Sequence, residues 1–298
     1  MTSLPVIPTS SRKCLIRRPT RSTGIRRFIR CPTKSTTCDA AVNTLTAPVS
    51  AAHLNYLLRI ADSSLILGHR LSEWCGHGPV IEEDIALTNV ALDLIGQARA
   101  LYTHAGESEG RDRDEDVFAF NRPQEEFCNV SMVELPNGDY ACTILRNFLF
   151  TAFQRELWVA LHSSSDAALA QIAARSVKET RYHVQHASDW TVRMGDGTDE
   201  SHARMQRALD YLWPYTAEFF SASLDDGETA KSGIGPVWSA LEAAWRNAVL
   251  PLLDVATLQI PQRTAFVSRG KEGMHGEHMQ TLLSEMQFLQ RAHPNCKW

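Results

Sequence analysis

From about residue 53 onward, apolar residues recur every three to four positions and strand-like alternation is scarce, which is the pattern of amphipathic helices packed on one another. A first helix is predicted from His53 to Cys75, where Leu54, Leu57, Leu58, Ala61 and Leu65 share a face and the GHGP stretch at 76–79 ends the run. A second is expected from Ile81 to Ala105, with Glu82, Glu83 and Asp84 at the positive end of its dipole. The stretch GESEGRDRDEDVFAFNRPQEEF at 106–127 follows, and its charge density predicts a solvated connection. A third helix starts after the PNGD turn at 136–139 with Asp139 as N-cap, and Ile144, Leu145, Phe148, Leu149, Ala152 and Phe153 mark its buried stripe.

Asp166 is the expected cap of a fourth helix that ends at Gly195. A fifth begins near Asp199, which is expected to cap it, and Pro214 predicts a kink or break. Two further helical segments occupy 235–256 and 275–292. Four helices of roughly 23 to 29 residues, each about 35–43 Å long, have the dimensions of a ferritin-like bundle. The predicted class is therefore all-α: a ferritin-like helical bundle with additional C-terminal helices over residues 51–298. No self-similar period appears, which disfavours a helical-repeat solenoid.

Charge divides the chain. Residues 1–38 carry nine Lys and Arg and no acid, so the remainder holds 21 basic against 34 acidic residues, a formal charge of −13. The acidic body argues against a nucleic-acid groove. The basic segment resembles a transit peptide in composition, but Pro5, Pro8, Pro19 and Pro32 interrupt any amphipathic helix, so residues 1–50 are expected to be a disordered extension. The alternative is translation restarting at a non-AUG codon, at Val42 or Val49. No apolar run approaches the roughly 18 residues of a membrane span. Seven scattered cysteines without a C-x-x-C pair predict reduced thiols in the cytoplasm, with Cys75 and Cys142 as packing groups in helices.

The segment KETRYH at 178–183 raises a question of metal chemistry. Two-iron bundles use about four carboxylates and two histidines from four facing helices, including Glu-x-x-His. Here Glu179 is followed by Tyr182, and the histidine falls at 183. Of eleven histidines, only His202 and His275 follow an acid by three positions, and neither lies in a predicted helix interior. The second helix has Asn89, Asp93 and Gln97 at i, i+4 and i+8, and the third has Thr151 and Gln154 where an acid is wanted. His69 or Glu73 of the first helix complete a candidate polar row of Glu73, Asp93, Gln97, Glu179 and His183. Such a row is either an atypical metal site or buried carboxylates satisfied by Lys178, Arg181, Tyr182 and His183. The ligand shortage favours the second, and no catalytic, cofactor-binding or metal residue is assigned. No P-loop, G-x-S-x-G or G-x-G-x-x-G is present, and GDGT at 195–198 is a helix-ending turn.

Several ordered stretches then resemble a known family. LSEWCGHGP (71–79), IALTNVALDLIGQAR (85–99), VELPNGDYACTILRNFLF (133–150), KETRYH, RMGDGTDESHARMQRALDYLWPYTAEFF (193–220) and GMHGEHMQTLLSEMQFLQ (273–290) resemble the C subunits of the ring-1,2-phenylacetyl-CoA epoxidase, a bacterial multicomponent monooxygenase of aerobic phenylacetate catabolism. The resemblance runs from about 53 to 298. It implies a non-catalytic structural subunit paired with a homologous A subunit that holds the di-iron centre, a small B subunit, and a reductase carrying flavin and iron-sulfur groups and drawing on NADPH. Thr151 stands where relatives carry an acid. The alternative is a self-sufficient di-iron carboxylate oxygenase built on Asp93, Glu179 and His183. Of Trp74, Trp158, Trp190, Trp213, Trp238 and Trp245, most are expected in the core and some as anchors for a partner.

Overall fold

The computed structural model describes residues 50–296 apart from 222, 224, 263–265 and 295. The extension expected over 1–50 lies outside the described residues except for Ser50, whose hydroxyl accepts from the His53 amide and caps the first helix. Helices α1 (Ala51–Ser72) and α2 (Ile81–Glu109) form a hairpin; α3 (Ser131–Glu134) is a single turn; α4 (Tyr140–Leu161) and α5 (Ala167–Gly195) form a second hairpin. Then follow α6 (Asp199–Leu212), α7 (Thr216–Phe219), α8 (Asp226–Lys231), α9 (Glu242–Val255), α10 (Glu277–Met286) and α11 (Phe288–Ala292). No strand occurs among the described residues, and no helix there is long and apolar enough to cross a membrane.

Two helices are buried on every side. Residues 56–68 of α1 and 141–154 of α4 are all buried, so the polar groups among them, such as Asp62 and Gln154, take their hydrogen-bond partners from inside the bundle. α2 packs on α1, α5 on α4 and α2 on α5, while α3 and α8 cover α1, and α6 and α9 cover α4. The α1–α2 approach is close: a Cβ on Gly68 would sit 2.9 Å from Ile95 Cγ1 and 3.2 Å from the Ala91 carbonyl. Capping follows the local chemistry. Asp139 accepts from the Cys142 amide at 2.9 Å, and Asp166 from Ala168 and Leu169 at 3.0 and 3.1 Å. Gly138 turns the chain with φ 61°, a value glycine adopts without strain.

Several expectations shift. α1 stops at Ser72, so Cys75 is exposed in the following turn rather than packed in a helix. The cap of α6 is Thr198, not Asp199: Thr198 and Ser201 exchange side-chain and backbone bonds in a capping box. Pro214 does break the helix, into a 3-10 turn at Trp213–Tyr215 before α7. The six tryptophans from Trp74 to Trp245 pack in or against the core, Trp158, Trp238 and Trp245 completely.

The largest departure is the charged connection. Its first part is exposed, but Phe118 and Phe127 are wholly buried and Arg122 is 3% exposed. Arg122 pairs with Asp62 of α1, which is 0% exposed, and that carboxylate also accepts from Tyr102 Oη at 2.5 Å and the Cys128 amide at 2.8 Å. The Arg122 guanidinium also donates to the Phe118 and Glu126 carbonyls and lies 4.2 Å from the Phe127 ring centroid. Charge was a misleading guide here because this arginine is buried with its counter-ion. Asp62→Ala leaves the guanidinium uncompensated, and chemical denaturation is expected to register a loss of about 3–5 kcal/mol; a loss under about 1 kcal/mol would show the pair to be effectively solvated.

Buried carboxylates also hold the C-terminal segment. Glu134 accepts from the Gly276 amide at 2.7 Å and contacts His275 Nδ1 at 2.8 Å; Glu218 accepts from the Ser131 and Lys271 amides at 2.9 and 3.0 Å. Against the cost of burial, the bond to and charge of Glu134 raise the His275 pKa. A raised folded pKa stabilises fully below the unfolded value of about 6.5 and loses its effect as pH rises through the folded value. Unfolding free energy should therefore decline across that interval, and His275→Gln should flatten the decline.

Candidate functional site

At mid-bundle, each of the four long helices contributes one polar side chain to a connected row. Ser64 of α1 accepts from Gln154 Nε2 of α4 at 3.0 Å. The same amide lies 3.1 Å from Gln97 Oε1 of α2, and Gln97 Nε2 donates to Glu179 Oε2 of α5 at 3.0 Å. Arg175, one turn before Glu179, bonds its other oxygen at 2.9 Å. The i, i+4 spacing of α5 sets His183 one turn further on, where its Nε2 meets Asp93 Oδ2 of α2 at 3.0 Å. His186 contacts Glu83 Oε2 at 2.8 Å, and Tyr140 donates to the same oxygen at 2.5 Å. Burial, then the hydrogen bond to Glu83, pushes the Tyr140 phenol well above its ordinary range.

The structure thus brings together Gln97 and Glu179, and separately Asp93 and His183. Glu73 stands apart, bonded to Arg70 at 2.8 Å and Asn137 at 2.9 Å. Asn89 is exposed and makes no bond to the row. His69 makes no hydrogen bond to the row, and burial pushes its pKa down to about 4. Thr151 turns its hydroxyl back to the Asn147 carbonyl at 2.6 Å. Lys178 and Arg181, expected to compensate the carboxylates, give way to Arg175. Ser64 was missed; the DSS run at 62–64 inside an otherwise apolar helix was its signal. Lys271 is buried, donates to the Ser221 carbonyl at 2.7 Å, and lies 4.8 Å from the Trp238 ring centroid. Burial lowers its pKa to about 8.

These residues do not fit a di-iron centre. Three of the four mid-bundle groups, Ser64, Gln97 and Gln154, are neutral, and the fourth, Glu179, is already neutralised by Arg175. The Asp93 side chain is 39% exposed and engaged by His183. Three buried atoms of the side chains at this site, Gln154 Oε1, His183 Nδ1 and His186 Nδ1, have no hydrogen-bond partner among the described residues. A neutral amide oxygen and two neutral imidazoles cannot offset the charge of two divalent ions. A cleft of about 200 Å³, lined by Gly96, Gln97, Ala100, Gln171, Ile172 and Arg175, opens beside the row between α2 and α5.

Comparison with known proteins places this geometry in context. The C subunit of the 1,2-phenylacetyl-CoA epoxidase of Escherichia coli (strain K12) is 44% identical over 243 residues, spanning 82% of this chain and 98% of that protein. Residues 39–298 match the family described as phenylacetic acid catabolic protein. The extent of both matches establishes that the chain belongs to the phenylacetic acid catabolic protein family.

Proposed function

We propose that this chain is the C subunit of a phenylacetyl-CoA epoxidase, a structural partner to oxygen chemistry carried out in another subunit. The observation that carries the assignment is the 44% identity across nearly the whole length of the Escherichia coli C subunit. The non-catalytic role is supported by the row at mid-bundle, where amides and a hydroxyl occupy the places at which paired metal ions need carboxylates. In this scheme residues 51–298 form the helical domain, preceded by the basic segment 1–50. The chain works in the cytoplasm beside an A subunit holding the di-iron centre, a small B subunit, and a reductase passing electrons from NADPH through flavin and iron-sulfur groups.

An obligate partner covers an extensive apolar surface, commonly above about 2,000 Å². The outer face of α2 supports such a role: Ile81, Ile85 and Leu92, at i, i+4 and i+11, are 71%, 55% and 62% exposed on one stripe. Tyr182 of α5, 50% exposed, belongs to the neighbouring helix. Substituting Ile85→Asp and Leu92→Asp together is expected to weaken co-purification with the co-expressed A subunit at least tenfold while leaving the melting temperature of the isolated chain within a few degrees, since both positions are exposed.

Turnover separates the structural role from catalysis. In the assembled complex, Glu179→Gln with His183→Gln should change epoxidation of phenylacetyl-CoA by no more than about threefold, because a group acting in acid–base catalysis typically contributes about 10²–10⁴. The chain purified alone should neither carry two irons nor consume oxygen with substrate. Stoichiometric iron together with oxygen-dependent turnover by the isolated chain would instead establish the self-sufficient oxygenase.

A further inference from the structure

A second cluster of ligand-type side chains lies away from the mid-bundle row. It joins His53 in the first turn of α1, His104 near the end of α2, and Asp166 at the N-cap of α5. The Nε2 atoms of both histidines converge on one oxygen, Asp166 Oδ2, at 2.9 and 2.6 Å. The three ligand atoms all lie within 4.8 Å of one another, and no other group of three or more His, Cys, Asp or Glu among the described residues meets that condition. The rings stand edge to face at 65°, with centroids 6.3 Å apart. All three side chains are largely buried, at 12%, 14% and 10% exposure for His53, His104 and Asp166.

The bonding within this cluster is incomplete. His104 makes a hydrogen bond to Asp166, but His53 Nε2, although 2.9 Å from the same oxygen, has no aligned hydrogen-bond partner among the described residues. A buried ring nitrogen thus faces a carboxylate oxygen without completing a bond. Asp166 Oδ1 is fully occupied by the Ala168 and Leu169 amides, which fixes the carboxylate and presents Oδ2 to the two rings.

We propose that His53, His104 and Asp166 form a binding site for one divalent first-row transition-metal ion, which ties together the ends of α1, α2 and α5. Two imidazole nitrogens and one carboxylate are ligands suited to zinc, cobalt or nickel and poorly suited to calcium or magnesium. Bonds of about 2.0–2.2 Å in tetrahedral geometry set neighbouring ligand atoms about 3.3–3.5 Å apart. The rings therefore need to withdraw from Oδ2 by less than about 1 Å, within reach of small side-chain rotations, and solvent fills the remaining position. The ion replaces an unfinished hydrogen-bond arrangement with three bonds spanning three helices. This site is independent of the assignment as an epoxidase subunit.

Cobalt(II) titration of the chelator-treated full-length chain tests the proposal, because its visible spectrum distinguishes imidazole and carboxylate ligands from cysteine thiolates. One cobalt per chain without thiolate charge-transfer bands is expected, with a melting temperature that rises as free cobalt or zinc increases. His53→Gln and His104→Gln should each weaken binding at least about 100-fold, since loss even of outer-shell partners costs about 10–100-fold. Asp93→Asn with His183→Gln should leave it unchanged. Asp166 is spared because it also caps α5, and circular dichroism of both histidine variants checks that they fold. A thiolate-type spectrum, affinity unaffected by either histidine substitution in a folded chain, or no binding by the parent chain would overturn the proposal.

Discussion

A single carboxylate, that of Asp62, organises the path of the chain through the body. It lies on a helix whose residues 56–68 are all buried, and its charge is tolerable there only when hydrogen bonds and a counter-charge surround it. Tyr102 supplies one bond from α2, Arg122 a guanidinium from the connection, and the Cys128 amide another bond from beyond it. The connection is consequently drawn inward rather than left in solvent. Two residues later the Val130 amide bonds Ser63 beside Asp62, which delivers α3 to α1. From there Glu134 reaches His275 and the Gly276 amide, so the position of the C-terminal segment depends on an acid near the middle of the first helix.

Mid-bundle polarity follows the opposite design. Instead of concentrated charge, Ser64, Gln154 and Gln97 pass hydrogen bonds from helix to helix and meet one carboxylate, Glu179, at the edge of the core where Arg175 neutralises it. Such a row specifies how four helices align while placing little net charge in a low-dielectric interior. In this member of the phenylacetic acid catabolic protein family, the row links all four long helices through largely neutral groups.

The long helices were legible because their signals are local. Apolar periodicity, Asp139 and Asp166 as caps, and the glycine-containing turn at 136–139 are each encoded within a few residues of the feature they create. Pro214 announced its break for the same reason. Arg122 was illegible as a core residue because its partner lies sixty positions away, and charge in a connection ordinarily signifies solvent. The polar row was half legible: spacing put Asp93 and Gln97 on one face of α2, and Glu179 and His183 on one face of α5. It could not reveal that Gln154 pairs with Gln97, or that Glu73 turns to Arg70 and Asn137 instead. His53, His104 and Asp166 come from three helices with no shared sequence interval, so only the folded chain unites them.

The bonds from Glu134 and Glu218 to the backbone at 271 and 276 impose an order on biosynthesis. Both acids leave the ribosome well before the amides that donate to them, and neither is fully satisfied until those donors arrive. The two long hairpins can associate as they emerge, but the flank of α1 beside α3 stays wet until residues 271–276 have been made. Closure of that flank therefore waits on residues 271–276, and a nascent chain arrested before residue 270 carries an open side for chaperones to guard.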